Sequence, residues 1–272
     1  DVHSIRSDGM NFVAVTGVQI TDNYLHDFKS SAGLGDHADM IQFWTNGTTT
    51  PSTDIVIRGN LLDIGNGSYT QSIFMRNEEV DMRRAGTEMY YRNVLIEENT
   101  IINAHSHGIT VGQAAGVTIR QNSVLHADGA NADGLDSGVE IPQISVAGAS
   151  TGVTITGNLT SDILGHSGQA GWVVNNNLFV QDQNPAAARY YGDLFISSTL
   201  DASDGQHGFL AKIGGVIDTR DLGATLTHEI PSDTSEMARF NVTQTDDSLI
   251  RSRTFSAAMS GVDSSGMPDG TI

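Results

Sequence analysis

One phrase recurs along this chain, and it restricts the fold more than any other feature. It reads GVQITDNYLHD at 17–27, DIVIRGNLLDI at 54–64, NVLIEENTIIN at 93–103, GVTIRQNSVLH at 116–126 and GVTITGNLTSD at 152–162. A degenerate copy, GWVVNNNLFV, spans 171–180. In every copy two short runs of alternating apolar and polar residues flank a polar corner, which is the pattern of two strands joined by a tight bend. The corner carries an asparagine, at Asn23, Asn60, Asn99, Asn122, Asn158 and Asn177. Asparagine tolerates the left-handed backbone of a tight corner, and stacked asparagines hydrogen-bond to one another as a ladder. The spacings are 37, 39, 23, 36 and 19 residues. The short ones match one coil of a parallel β-helix, and the long ones a coil with a loop insertion. Leucine-rich repeats need more leucine, and propeller blades need four antiparallel strands and more aromatic residues.

A further strand precedes each phrase. Arg6–Ile20 aligns without gaps on His105–Ile119, and HADMIQFW (37–44), YTQSIFMR (69–76) and SGVEIP (137–142) fall in step with them. Superposed on Ile109, these segments predict an inward column of Met10, Ile41, Ile73, Ile109 and Val139, and a second of Phe12, Phe43, Met75, Val111 and Ile141. The expected fold is therefore all-β, a right-handed parallel β-helix with loop insertions over 1–220. An irregular cap or tail is expected over 221–272, with Tyr190–Leu200 and His207–Asp218 as final irregular coils. Glycine at 30 residues against 5 prolines suits a chain of many turns. The chain begins at Asp1 rather than methionine and reads as trimmed or processed.

The same superposition predicts outward columns. One holds Arg6, His37, Tyr69 and His105; the next Asp8, Asp39, Gln71, His107 and Ser137; a third Asn11, Gln42, Phe74, Thr110 and Glu140; a fourth Trp44 and Arg76. Neighbours in a column sit about 4.8 Å apart, the spacing of hydrogen-bonded strands. Histidine, tyrosine, aspartate, arginine and tryptophan thus share one face, where a purely solvent-facing sheet carries Ser, Thr, Lys and Asn. Outward Trp44 and Phe74 mark a binding surface suited to stacking on sugar rings. His37, Tyr69, His105 and His107 are candidate proton donors and acceptors, with Asp39 beside them. Arg76 is the candidate neutraliser of a substrate carboxylate. Arg6, Gln42, Trp44, Gln71, Phe74 and Glu140 are candidate substrate contacts. The acids Asp36, Glu78, Glu79 and Asp81 are candidate ligands for Ca²⁺, a hard cation that takes carboxylate oxygens. The remaining histidines, among them His3, His126 and His166, read as surface residues, and the corner asparagines as structural.

The GVxIxxN repeat together with GxDHADMIQFW resembles the right-handed β-helix proteins of the pectate-lyase-like superfamily. More narrowly, it resembles the β-helix modules of secreted bacterial alginate-type C5-epimerases and polysaccharide lyases. The resemblance covers roughly residues 1–182. It implies an enzyme that acts on an acidic, uronate-containing polysaccharide by abstracting the C5 proton, a lyase ahead of an epimerase, and a secreted or extracellular location. The Asp-Pro-His motif of the mannuronan epimerases has its nearest match in Asp36-His37-Ala38-Asp39, without the proline. Two other readings stand beside it: a glycoside hydrolase using Asp8 and Asp39, column neighbours about 5 Å apart as a retaining mechanism needs, and a non-catalytic glycan-binding β-helix. The net charge of −18 argues against nucleic acid as partner. The absence of any apolar run near 18 residues argues against a membrane span. With no cysteine, disulfides and thiolate chemistry are excluded.

Overall fold

The computed structural model describes residues 1–30, 38–127, 141–198 and 209–228. The chain divides into two compact units, 1–242 and 243–272, and the second lies outside the described residues. The first unit is built from three parallel sheets, and the chain visits them in turn. After β1 (Val2–His3), the first complete turn runs β2 (Met10–Phe12), β3 (Gln19–Thr21) and β4 (Tyr24–His26). The next turns are β5 (Ala38–Phe43), β6 (Thr53–Arg58) and β7 (Leu61–Asp63), then β8 (Thr70–Met75), β9 (Tyr91–Glu97) and β10 (Thr100–Asn103). They are followed by β11 (His107–Val111), β12 (Ala114–Arg120) and β13 (Ser123–His126), then β14 (Gln143–Val146), β15 (Thr151–Thr156) and β16 (Leu159–Thr160). The last turn is β17 (Ile163–Leu164), β18 (Val173–Asn175) and β19 (Leu178–Phe179). The sheet orders are β1-β4-β7-β10-β13-β16-β19, β17-β14-β11-β8-β5-β2 and β18-β15-β12-β9-β6-β3. One strand per sheet per turn, all parallel, is an arrangement consistent with a parallel β-helix.

The core between the sheets is a continuous apolar stack. Ile20, Ile57, Ile96, Ile119 and Ile155 are buried in register along the sheet of the GVxIxxN strands. At its corner stand the asparagines. Asn23 Nδ2 donates to Asn60 Oδ1 at 3.0 Å, Asn60 to Asn99 at 2.8 Å, and Asn99 to Asn122, Asn122 to Asn158 and Asn158 to Asn177 at 2.9 Å each. Each receiving Oδ1 also accepts the backbone N–H of the preceding rung, at 3.0–3.1 Å. The ladder expected from the sequence is therefore present along its whole length, but the left-handed residue of each corner is the one before the asparagine: Asp22, Gly59, Glu98, Gln121, Gly157 and Asn176.

The β5-β8-β11 sheet departs from simple alternation. Met40 and Ile41 are consecutive, and both belong to the core. One turn away, Ser72 faces inward and accepts a hydrogen bond from Asn103 Nδ2 at 2.7 Å. Gly9 and Gly108 hold the same level. A Cβ on Gly9 would lie 2.6 Å from the Phe28 ring, and one on Gly108 2.5 Å from Val124 Cγ1. Two successive inward residues reverse the parity of what precedes them, so Asp39, Gln71 and His107 emerge on the same outer side as Gln42, Phe74 and Thr110. The kink is shared by neighbouring turns, so pairing resumes in step, Asp39 opposite Gln71 and Ile41 opposite Ile73. Gly108→Ala pushes a methyl into Val124, and we expect a loss of about 1–3 kcal/mol, read as a lower urea midpoint. An unchanged midpoint would show that the kink yields.

The turn after β11 differs from expectation. Ile109 and Val111 pair with Ile144 and Val146 of β14, not with Val139 and Ile141. Ile141 is half-buried outside any strand, and Ser137, Val139 and Glu140 lie outside the described residues. The segments expected as final coils also differ. α2 (Tyr191–Leu194), an antiparallel pair of β20 (Phe195–Ser198) and β21 (Phe209–Ala211), and α3 (Val216–Arg220) follow instead. Leu194, Phe195, Phe209, Ile217 and Leu222 form a second core with Ile102, Leu125 and Leu159, the outward apolar residues of the β7-β10-β13 sheet. That sheet is apolar on both faces, and this cover is what buries its outer one.

Candidate functional site

The outer face of the β5-β8-β11 sheet gathers the chemistry-bearing residues. Four rings stand in succession over two adjacent turns. Tyr69 meets His105 edge-on with centroids 5.3 Å apart, His105 stacks on His107 at 5.3 Å, and Phe74 meets His107 edge-on at 4.8 Å. Tyr69 occupies the left-handed region (φ 42°) at the bend into β8, and this conformation turns its ring outward, 42% exposed. His105 is buried and His107 half-buried. The His107 backbone N–H donates to His105 Nδ1 at 3.2 Å. A backbone amide can only donate, so His105 Nδ1 carries the lone pair and its proton sits on Nε2. His107 Nδ1 lies 2.7 Å from Thr110 Oγ1. When Nδ1–H donates there, the basic lone pair of His107 falls on Nε2.

Beside the rings lies a carboxylic acid. Asp39 is fully buried and its pKa is pushed up to about 8, by loss of hydration and by the charge of Asp8, with a hydrogen bond from Gln42 acting in the opposite sense. Asp8 Oδ1 accepts the Asp39 backbone N–H at 3.1 Å. Asn11 Nδ2 bridges Asp8 Oδ2 at 3.0 Å and Gln42 Oε1 at 2.9 Å, while its Oδ1 accepts from Trp44 Nε1. Asp8, expected from sequence only as the hydrolase partner of Asp39, and Asn11, an outward-column member given no role, thus link Gln42 and Trp44 into one network. Their signal was the in-step alignment on Asp39 and Gln42.

The other flank is a wall. α1 (Glu78–Asp81) is tied to the loop after β5: Glu78 Oε2 accepts the Thr45 N–H at 2.8 Å, Glu79 Oε1 the Gly47 N–H at 2.7 Å, and Arg84 donates to Asn46 Oδ1 at 2.7 Å. Arg84 also grips both Glu79 oxygens, at 3.0 and 2.7 Å, which holds that carboxyl below the usual range. Asp81 lies 3.5 Å from Arg76 and accepts from Gln113 at 2.8 Å. Tyr91 donates to the Arg76 carbonyl at 2.7 Å, its pKa raised by burial and by the charges of Glu78 and Asp81. These carboxylates are each engaged, and among the described residues no three acidic or histidine side chains converge as a metal site. Glu78, Glu79 and Asp81 do not fit as a Ca²⁺ cage.

Of the expected site, the structure thus brings Tyr69, His105, His107 and Phe74 together, with Asp39, Gln42, Gln71 and Trp44 on the same face. Gln71 is nearly buried, opposite Asp39. Arg76 sits at the wall, and Arg6 is exposed in the bend ahead of β2. Asp36, His37 and Glu140 lie outside the described residues. One cluster was missed. His126, read as a surface residue, is buried, with Nδ1 2.6 Å from Asp182 Oδ2, and its backbone N–H donates to the Tyr191 hydroxyl at 3.0 Å. Among the described residues no helix is long and apolar enough to cross a membrane. Comparison with protein-family models, curated proteins and solved structures finds no match.

Proposed function

We propose that this chain is a right-handed parallel β-helix enzyme of pectate-lyase-like type. On this reading it is a secreted or extracellular lyase that cleaves an acidic, uronate-containing polysaccharide by β-elimination. The observation that carries the reading is the contiguous row Tyr69–His105–His107–Phe74 on the outer face of the β5-β8-β11 sheet. Elimination needs a base for the C5 proton, neutralisation of the uronate carboxylate and an acid for the leaving oxygen. His107 serves as the base through Nε2. The Nε2–H of His105 is the neutral donor toward the carboxylate, and the exposed Tyr69 hydroxyl protonates the glycosidic oxygen. The C5–H electrons become the C4–C5 double bond as the C4–O bond breaks. Phe74 and Trp44 offer apolar faces to the sugar rings.

An epimerase shares the first step and differs only in where the proton returns, so it is the nearest alternative. The hydrolase reading is weaker, because Asp39 is sealed from solvent and cannot reach a glycosidic oxygen. The wall residues are already engaged, so no step is routed through Ca²⁺.

The test is ultraviolet absorbance during incubation with a panel of uronate-containing polysaccharides, homopolymeric polyuronates and polymers alternating uronate with neutral sugar, with calcium and then with chelator. We expect a rise from unsaturated uronate ends that survives chelation. Tyr69→Phe and His107→Gln should each slow it by about a hundredfold. A flat trace on every substrate overturns the lyase reading and moves the weight to an epimerase, detected by C5 proton exchange, or to a non-catalytic glycan-binding module.

A further inference from the structure

The ring row does not end the outer face. His107 pairs with Gln143 of β14, and Ile144 pairs with Ile163, with its N–H bonded to the Asp162 carbonyl at 3.1 Å. The column through Asp39, Gln71 and His107 therefore continues into Gln143 and Asp162, about 4.8 Å per turn. There a groove opens, with Gln143, Ser161, Asp162, Asp182 and Gln183 on its sides and Val180 and Tyr191 as apolar wall.

The side-chain chemistry of this groove is selective. Ser161 Oγ is spent on the Pro142 carbonyl at 2.6 Å, Asp162 Oδ1 on the Ile163 N–H at 2.7 Å, and Asp182 Oδ2 on His126. The amides of Gln143 and Gln183, Asp162 Oδ2 and Asp182 Oδ1 make no hydrogen bond among the described residues. They remain as two amide donor–acceptors and two carboxylate oxygens in one cleft. Amides and carboxylate oxygens match vicinal hydroxyls, which both donate and accept. Two carboxylates, with no lysine or arginine in the lining among the described residues, repel an anionic sugar.

We propose that this groove is a subsite for an uncharged sugar residue, so that the polysaccharide bound on this face alternates uronate with neutral sugar and is not a homopolymeric polyuronate. The inference rests on the reading of the Tyr69–His107 face as a uronate-binding surface. Where that face takes a carboxylate, the next position along the sheet excludes one.

The test is a titration followed by NMR of the side-chain amides of Gln143 and Gln183, each assigned with its alanine variant. The probes are a neutral β-1,4-linked glucohexaose and a β-1,4-linked hexamannuronate. We expect glucohexaose to shift both amides and hexamannuronate to leave them unmoved. The double variant Asp162→Ala/Gln183→Ala should weaken glucohexaose about tenfold, with the ladder asparagine signals unchanged as a control of folding. Asp162→Lys should admit hexamannuronate. Equal shifts from both probes, or none from glucohexaose, overturn the subsite. The outcomes separate from those of the lyase test. Amide shifts in a protein inert on every uronate-containing polymer, alternating ones included, retain the subsite and discard the lyase, whereas unsaturated products with unmoved amides do the reverse.

Discussion

Asn99→Leu is expected to lower the unfolding free energy by about 4 kcal/mol or more, and the thermal midpoint by on the order of 10 °C. Leucine keeps the branched outline of asparagine but carries bulkier methyl groups, so the lost polar partners are joined by overpacking at a fully buried position. The Asn99 side chain donates to Asn122 Oδ1 at 2.9 Å and to the carbonyls of Ile57 and Glu97 at 2.9 and 3.0 Å. It accepts from the backbone and side-chain N–H groups of Asn60 at 3.1 and 2.8 Å. Every one of these groups is buried, and each left without a partner costs roughly 1 kcal/mol or more. Asn23, the first rung among the described residues, is only half-buried, so Asn23→Leu should cost well under half as much. Thermal melts of the two variants side by side provide the check. Equal losses at the two positions would mean that the rungs act singly and not as a buried stack.

The second large effect concerns pH. Asp39 holds its proton up to about pH 8 in the folded chain, against 3.8 for an ordinary aspartate. A carboxyl with a raised folded pKa favours folding while it is protonated in the native state. That contribution is complete below about pH 4 and is lost as pH rises from there through 8. Between pH 5 and pH 8 the loss amounts to on the order of 3–4 kcal/mol. Asp39→Asn replaces the protonated acid by a neutral group of the same shape, so this slope should vanish. The variant should be clearly more stable than the parent at pH 8 and near parity at pH 4. Urea midpoints of both proteins at the two pH values decide the matter. A parental slope that persists in the variant would place the titrating group elsewhere.

The neutral state of Asp39 bears on the proposed activity. A second carboxylate beside Asp8 would repel an anionic polymer already facing a chain of charge −18. A protonated Asp39 keeps that part of the sheet less negative near neutral pH.

Much of this architecture can be read from residues alone, and the reason differs by element. The asparagine corner is legible because its chemistry is local: a side chain that both donates and accepts, repeated at coil-length spacings, leaves few other folds open. The columns of Ile41, Ile73 and Ile109 are legible because a two-residue period marks inward positions. The ring row follows from aligning those columns, since residues level in sequence are level in space when strands pair in register. Where insertions intervene, periodicity no longer fixes the register. After β13, SGVEIP and QISV both read as short apolar runs in sequence and nothing local ranks them, whereas QISV is the one that pairs with β11. His126 was missed because its partners, Asp182 and Tyr191, come from distant segments.

The repeat by itself determined the parallel stacked strands, the ladder and which residues stand level in neighbouring turns, because each depends on periodicity and on the short-range chemistry of Asn, Gly and β-branched residues. Tertiary structure decided the rest. The inward pair Met40–Ile41, with its counterparts at Ser72 and Gly108, sets the side on which Asp39 and His107 emerge. Burial beside Asp8 keeps Asp39 protonated, and Arg84, Arg76 and Gln113 engage the acids that composition alone offers to calcium. The physical reason is the same in each case: parity, hydration and charge pairing depend on which distant segments meet, and a one-dimensional period carries no record of those meetings.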